Sequence, residues 1–162
     1  MELFLLRHAK SSWDDPYQRD FDRPLNPRGK NAAPMMGQVI KDKGIKPSKI
    51  LCSPAQRTRE TLELLNQTAN LDSSIEFVDG IYEASTGELR KILRNVKQKH
   101  ESVLMIGHNP GMEGLANDLT GDYERFPTAA LASISLNIDA WKDLDPATGV
   151  FNWIITPKSL KQ

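Results

Sequence analysis

Short apolar runs that end abruptly in charged or histidine side chains constrain this chain most. Leu3 to Leu6 gives way to Arg7-His8, Lys49 to Cys52 to Ser53-Pro54, and Val103 to Ile106 to Gly107-His108. Each run has a strand's length and lacks strict alternation, so each reads as a strand buried on both faces. Helical patterns lie between and beyond them. Lys30 to Lys43 ends at Gly44, a good left-handed stop, and Pro34 is expected to interrupt that helix or delay its start. Ser53-Pro54 before Arg57 to Asn66 reads as an N-cap and a first-turn proline. Ser85 with Glu88 has the capping-box spacing and opens a helix to about Lys99. Met112 to Leu119 forms a further helix. Ile75 to Val78 adds a strand, and Leu131 to Ile138 with Val150 to Ile155, around the turn-rich Asp145 to Gly149, predicts a hairpin.

Strands alternating with helices predict an α/β fold: one three-layer domain over residues 1–162, with a mainly parallel sheet, helices on both faces and one antiparallel edge strand. Ligands of such sheets bind outside the carboxyl ends of the strands. Arg7-His8, Ser53 to Arg57 and Gly107-His108 should therefore meet on one rim. From Ala9 to Arg28 the chain is polar and holds Pro16, Pro24 and Pro27, which favours a long irregular loop at that rim.

Composition narrows the chemistry. Lys plus Arg equals Asp plus Glu at 21 each, so no global field gathers nucleic acid or an anionic membrane, and neither is expected as a partner. The single cysteine, Cys52, excludes an intramolecular disulfide, and Leu3 to Leu6 is too short for a signal peptide or a span, so a cytoplasmic protein is expected.

Two arginines and two histidines on one rim suit a phosphoryl group better than a metal. Arg7 and Arg57 can fork onto phosphate oxygens and neutralise charge spreading over them. The helix beginning near Pro54 would add its positive end. Imidazole attacks phosphorus only when neutral, and a neighbouring cation penalises the charged form, a condition His8 meets beside Arg7. His108 is placed to stabilise the transition state. No metal and no cofactor is required.

These motifs also carry a resemblance. Leu5-Leu6-Arg7-His8-Ala9-Lys10 resembles the Arg-His-Gly signature of the histidine phosphatase superfamily, with Ala9 for glycine. Ser53-Pro54-Ala55-Gln56-Arg57-Thr58-Arg59-Glu60-Thr61 is similar to its second arginine motif, and Gly107-His108-Asn109-Pro110 to its second histidine motif, in the same chain order. Asp22-Arg23-Pro24-Leu25-Asn26-Pro27-Arg28-Gly29 and Phe126-Pro127-Thr128-Ala129-Ala130 resemble segments of its SixA-like phosphohistidine phosphatase branch. The resemblance implies a phosphoglycerate mutase-like fold and a phosphatase that carries a covalent phosphohistidine on His8. Its catalytic set would be Arg7, His8, Arg57 and His108. Glu83, in the loop before the central helix, is the candidate general acid, with Asp79 four residues away. Ser53, Asn109 and Lys10 fall inside the motifs and are expected to contact substrate. That substrate is a phosphohistidine-bearing protein or a small phosphorylated compound.

Larger relatives cover their pockets with an insertion after the second-arginine helix. Here Asn66 to Ser85 is short and must also hold a strand, so an uncovered site that favours hydrolysis over mutase transfer is expected. Phosphoglycerate mutase chemistry and a catalytically silent phospho-ligand module are the alternatives. Arg59 reads as a solvated helix-face charge, His100 as a helix C-terminal cap, and Trp13, Trp141 and Trp153 as packing residues.

Overall fold

The structure, a computed structural model, describes residues 1–161. Six strands form one sheet: β1 (Glu2–Arg7), β2 (Lys49–Cys52), β3 (Ser74–Phe77), β4 (Ser102–Gly107), β5 (Leu131–Leu136) and β6 (Gly149–Ile155). Their order is β3-β2-β4-β1-β5-β6. The first four are parallel, and β5 pairs antiparallel with both β1 and β6. The expected antiparallel edge is therefore the β5–β6 hairpin.

Four helices cover the two faces, as the uninterrupted apolar strands require. In β1 and β4 successive side chains point to opposite faces. Leu3, Leu5, Val103 and Met105 pack under α3 (Thr86–Arg94) and α4 (Gly111–Thr120), whereas Phe4, Leu6, Leu104 and Ile106 pack under α1 (Pro27–Asp42) and α2 (Gln56–Ala69). Trp141 is fully buried in the first core. The Ser85 capping box opens α3 with both reciprocal bonds made.

Several sequence expectations are corrected. α1 begins at Pro27, capped by the Asn26 side chain on Gly29 N, and it runs through Pro34 unbroken. Packing overrides the proline there: the Thr68 hydroxyl donates to Pro34 O at 2.7 Å, and the two helices approach so closely that a Cβ on Gly37 would lie 2.1 Å from Leu65 O. Ser53 does not cap α2, whose N-cap is Ala55, so the helix opens two residues later than the Ser-Pro signal suggests. α3 stops at Arg94, and His100 lies beyond it, its Nδ1 3.0 Å from Ser48 Oγ. Trp13 is exposed, with the Arg23 guanidinium stacked 3.2 Å from its ring centre.

Candidate active site

The parallel strands deliver the predicted residues to one rim. β1 ends at Arg7, and His8 follows directly, its N–H bonded to Gly107 O and its carbonyl to Ala129 N. β2 runs into Ser53, the first turn of α2 carries Arg57, and β4 runs into His108. The His8 and His108 rings lie 5.2 Å apart centre to centre. Arg57 Nε points at His8 Nε2 from 3.4 Å.

The His8 ring is oriented by its own loop. Nδ1 lies 2.7 Å from Ala9 O, and a carbonyl only accepts, so the proton sits on Nδ1 and Nε2 carries the lone pair, which accepts from Arg57 Nε. Ala9 is itself held by a bond from its N–H to the Thr61 hydroxyl of α2. Burial, with Arg57, Arg7 and Arg23 contributing, holds the His8 pKa down to about 4 against the upward pull of the Ala9 carbonyl. Burial and the facing His8 hold His108 down to about 3. Both imidazoles are therefore neutral near pH 7.

Each remaining predicted residue has a definite place. Arg7 Nη1 donates to Phe126 O at 2.8 Å, while its Nε is buried without a partner. Burial lowers the Arg7 pKa, and the charge of Glu113 opposes that. Ser53 Oγ lies 2.7 Å from His108 Nε2, and His108 Nδ1 is left without a partner. The Asn109 amide nitrogen donates to Glu113 and to Phe126 O, bracing the loop that holds Arg7. Lys10 is exposed on the rim. Glu83 is exposed too, in left-handed backbone at φ 57°. Burial pushes the Cys52 thiol up to about 12, the condition of an inert cysteine.

The largest omission from the sequence reading is Asp20. This carboxylate, on a single helical turn at Asp20–Asp22, accepts from Arg57 Nη2 at 3.0 Å, Arg23 Nη1 at 3.0 Å and the Tyr82 hydroxyl at 2.6 Å. Burial opposes its ionisation, but the Tyr82, Arg23 and Arg57 bonds outweigh that and hold it down to about 2. Tyr82 in turn stands edge-on to His108, ring centres 5.5 Å apart. The expectation of an uncovered site is corrected accordingly. His8, Arg57 and His108 are only 6%, 7% and 9% exposed, because the Ala9–Arg28 loop folds back and bridges to Tyr82. Arg23 anchors that loop through Ser11 and Ser12. Beyond Arg57 itself, this network was touched by the sequence reading at Arg23, inside the motif Asp22 to Gly29.

A family model described as the histidine phosphatase superfamily (branch 1) matches residues 3–126, a stretch that includes Arg7, His8, Arg57 and His108. The chain belongs to that superfamily. Phosphohistidine phosphatase SixA of Escherichia coli is 29% identical over 165 residues, covering 99% of this chain and 97% of that one. A solved structure of the protein histidine phosphatase SixA with tungstate superposes at a TM-score of 0.86, with 29% identity and 99% of each chain covered. A chloroplastic Arabidopsis thaliana protein of uncharacterized function is 32% identical over 160 residues, 93% of this chain and 73% of that protein. A mycobacterial glucosyl-3-phosphoglycerate phosphatase, at 12% identity and a TM-score of 0.66, shares the fold alone. Its similarity to SixA over nearly the whole chain places this phosphatase in the SixA-like branch, with the phosphoglycerate mutase-like architecture. No helix among its described residues is long and apolar enough to cross a membrane.

Proposed function

We propose that this phosphatase hydrolyses phosphohistidine on a protein through a phosphoryl group carried by His8. The observation that carries the proposal is the His8 Nδ1 contact with Ala9 O at 2.7 Å, which leaves the Nε2 lone pair facing the Arg57 guanidinium. In the first step Nε2 bonds to phosphorus while the substrate's P–N bond breaks, and the departing imidazole takes up a proton. In the second, water attacks phosphorus, the His8 N–P bond breaks and inorganic phosphate leaves. Arg7 and Arg57 hold the equatorial oxygens as charge develops on them, and His108 with Ser53 binds a further oxygen. Lys10 is exposed two residues from His8, and Asn109 supports the Arg7 loop.

A protein phosphohistidine fits the acid chemistry of the site. Asp20 is held ionised and cannot donate a proton near neutral pH. Glu83 is the remaining candidate acid, and it lies exposed. An imidazole leaving group needs that acid less than an alkoxide does. The similarity to E. coli SixA, named a phosphohistidine phosphatase, supports the same substrate class. The test is a peptide phosphorylated on histidine with a radiolabel. Wild type is expected to release phosphate and to carry acid-labile, alkali-stable label, and His8→Ala to do neither; a substantial rate in His8→Ala would overturn the mechanism.

A further inference from the structure

The rim extends past the site into a groove that no step above uses. Because β5 runs antiparallel between them, β6 is parallel to β1, and Leu6, Leu131 and Ile155 stand in register across the three strands. The chain leaving β6 therefore emerges on the same rim as His8, carrying Lys158. The groove there has a volume of about 240 Å³. It is lined by Lys158 and Lys161 from the chain beyond β6, by Arg28 on the first turn of α1, and by Lys10, two residues from His8.

Among the described residues, four cations line this groove and no carboxylate does. All four are exposed, and none joins an ion pair among the described residues. In a chain of zero formal net charge this is a local concentration of one sign. The fold enforces it. Asn26 N donates to Lys10 O at 2.9 Å, and a Cβ on Gly29 would lie 2.1 Å from that same oxygen, so α1 is seated directly on the Lys10 backbone and Arg28 is fixed beside it. Ala32, Met35 and Pro157 add apolar surface to the same groove. Apolar and charged side chains together on one surface groove suit a protein interface better than a small-anion cup.

We infer that this groove docks an acidic stretch of the protein substrate and so presents its phosphohistidine to His8. The inference rests on the phosphohistidine reading above and deepens it. Opposite charge across an interface steers encounter and fixes register. The recognised chemistry is a run of Asp or Glu side chains on a polypeptide.

The test uses two peptides, each with one histidine phosphorylated by phosphoramidate, identical except that three flanking residues are Glu in one and Gln in the other. Wild type is expected to favour the Glu peptide about tenfold in kcat/KM, within the range of electrostatic steering, and to lose that preference in high salt. Arg28→Glu/Lys158→Glu should turn over p-nitrophenyl phosphate normally yet lose or invert the preference, and Arg28→Gln/Lys158→Gln should fall between. Fluorescence anisotropy of the unphosphorylated Glu peptide gives a second readout independent of turnover. Equal handling and equal binding of the two peptides by wild type, or a preference unchanged in the charge-reversed protein, would overturn the docking site. If neither phosphopeptide is hydrolysed while the Glu peptide binds wild type and not the charge-reversed protein, docking stands and the substrate reading falls.

Discussion

Asp20 holds Arg57 twice, through its main-chain oxygen at 2.7 Å from Nη1 and its carboxylate at 3.0 Å from Nη2. The guanidinium proposed to grip the phosphoryl group is thus aimed by a loop that arrives from elsewhere in the chain. Asp20→Ala is expected to lower kcat about tenfold or more, since small misplacements of a clamping group cost up to ~10²-fold. Steady-state kinetics with p-nitrophenyl phosphate measure it. Wild-type kcat would refute the positioning role.

Tyr82→Phe removes the hydroxyl that ties Asp20 to the His108 side while keeping the ring. Vanadate is expected to bind faster to this variant than to wild type, because one hydrogen bond fewer covers the histidines. Stopped-flow inhibition is the measurement, and an unchanged association rate would refute the bridge as cover.

Acid affects stability and turnover over different ranges. The folded-state pKa values of His8 and His108, about 4 and about 3, lie below their ordinary value of 6.5. The unfolded chain therefore takes up protons first as pH falls. The contribution of each neutral imidazole is complete above about 6.5 and erodes as pH drops to about 4 for His8 and about 3 for His108. Tm should fall across that window, and less steeply in His8→Ala. The acid limb of kcat/KM, which reports the free enzyme, should lie near pH 4 once corrected for substrate ionisation. A limb at 6.5 would mean that His8 is not held neutral.

Glu83→Gln should slow alkyl phosphates by about 10²-fold, the scale of a lost general acid, and leave aryl phosphates nearly unchanged. Only a poor leaving group needs the proton. Equal losses with both would remove Glu83 from that role.

Gly29→Ala tests the seating of the nucleophile loop. Its Cβ would meet the Lys10 carbonyl, and overpacking of this kind costs about 1–3 kcal/mol. Activity is expected to fall with stability, because displaced Lys10 pulls on Ala9 and hence on the carbonyl that orients His8. Thermal melts and kinetics together decide; a fully stable, fully active variant would contradict the seating.

The sequence by itself determined the sheet and the floor of the site. Uninterrupted apolar runs bury on both faces whatever surrounds them, and residues at their carboxyl ends must share a rim, so Arg7, His8, Arg57 and His108 were legible from position and side-chain type. Local rules failed where packing overrode them: Pro34 stays inside α1 because α1 lies against α2, and Ser53 bonds His108 instead of capping a helix. The tertiary structure alone decided the bridge and the groove. Asp20 meets Tyr82 across 62 positions, and Arg28 comes to line one groove with Lys158 through a strand reversal at β5. A polar loop carries no periodicity to say where it will return. Its partners are set by which backbone atoms the packed core leaves facing it.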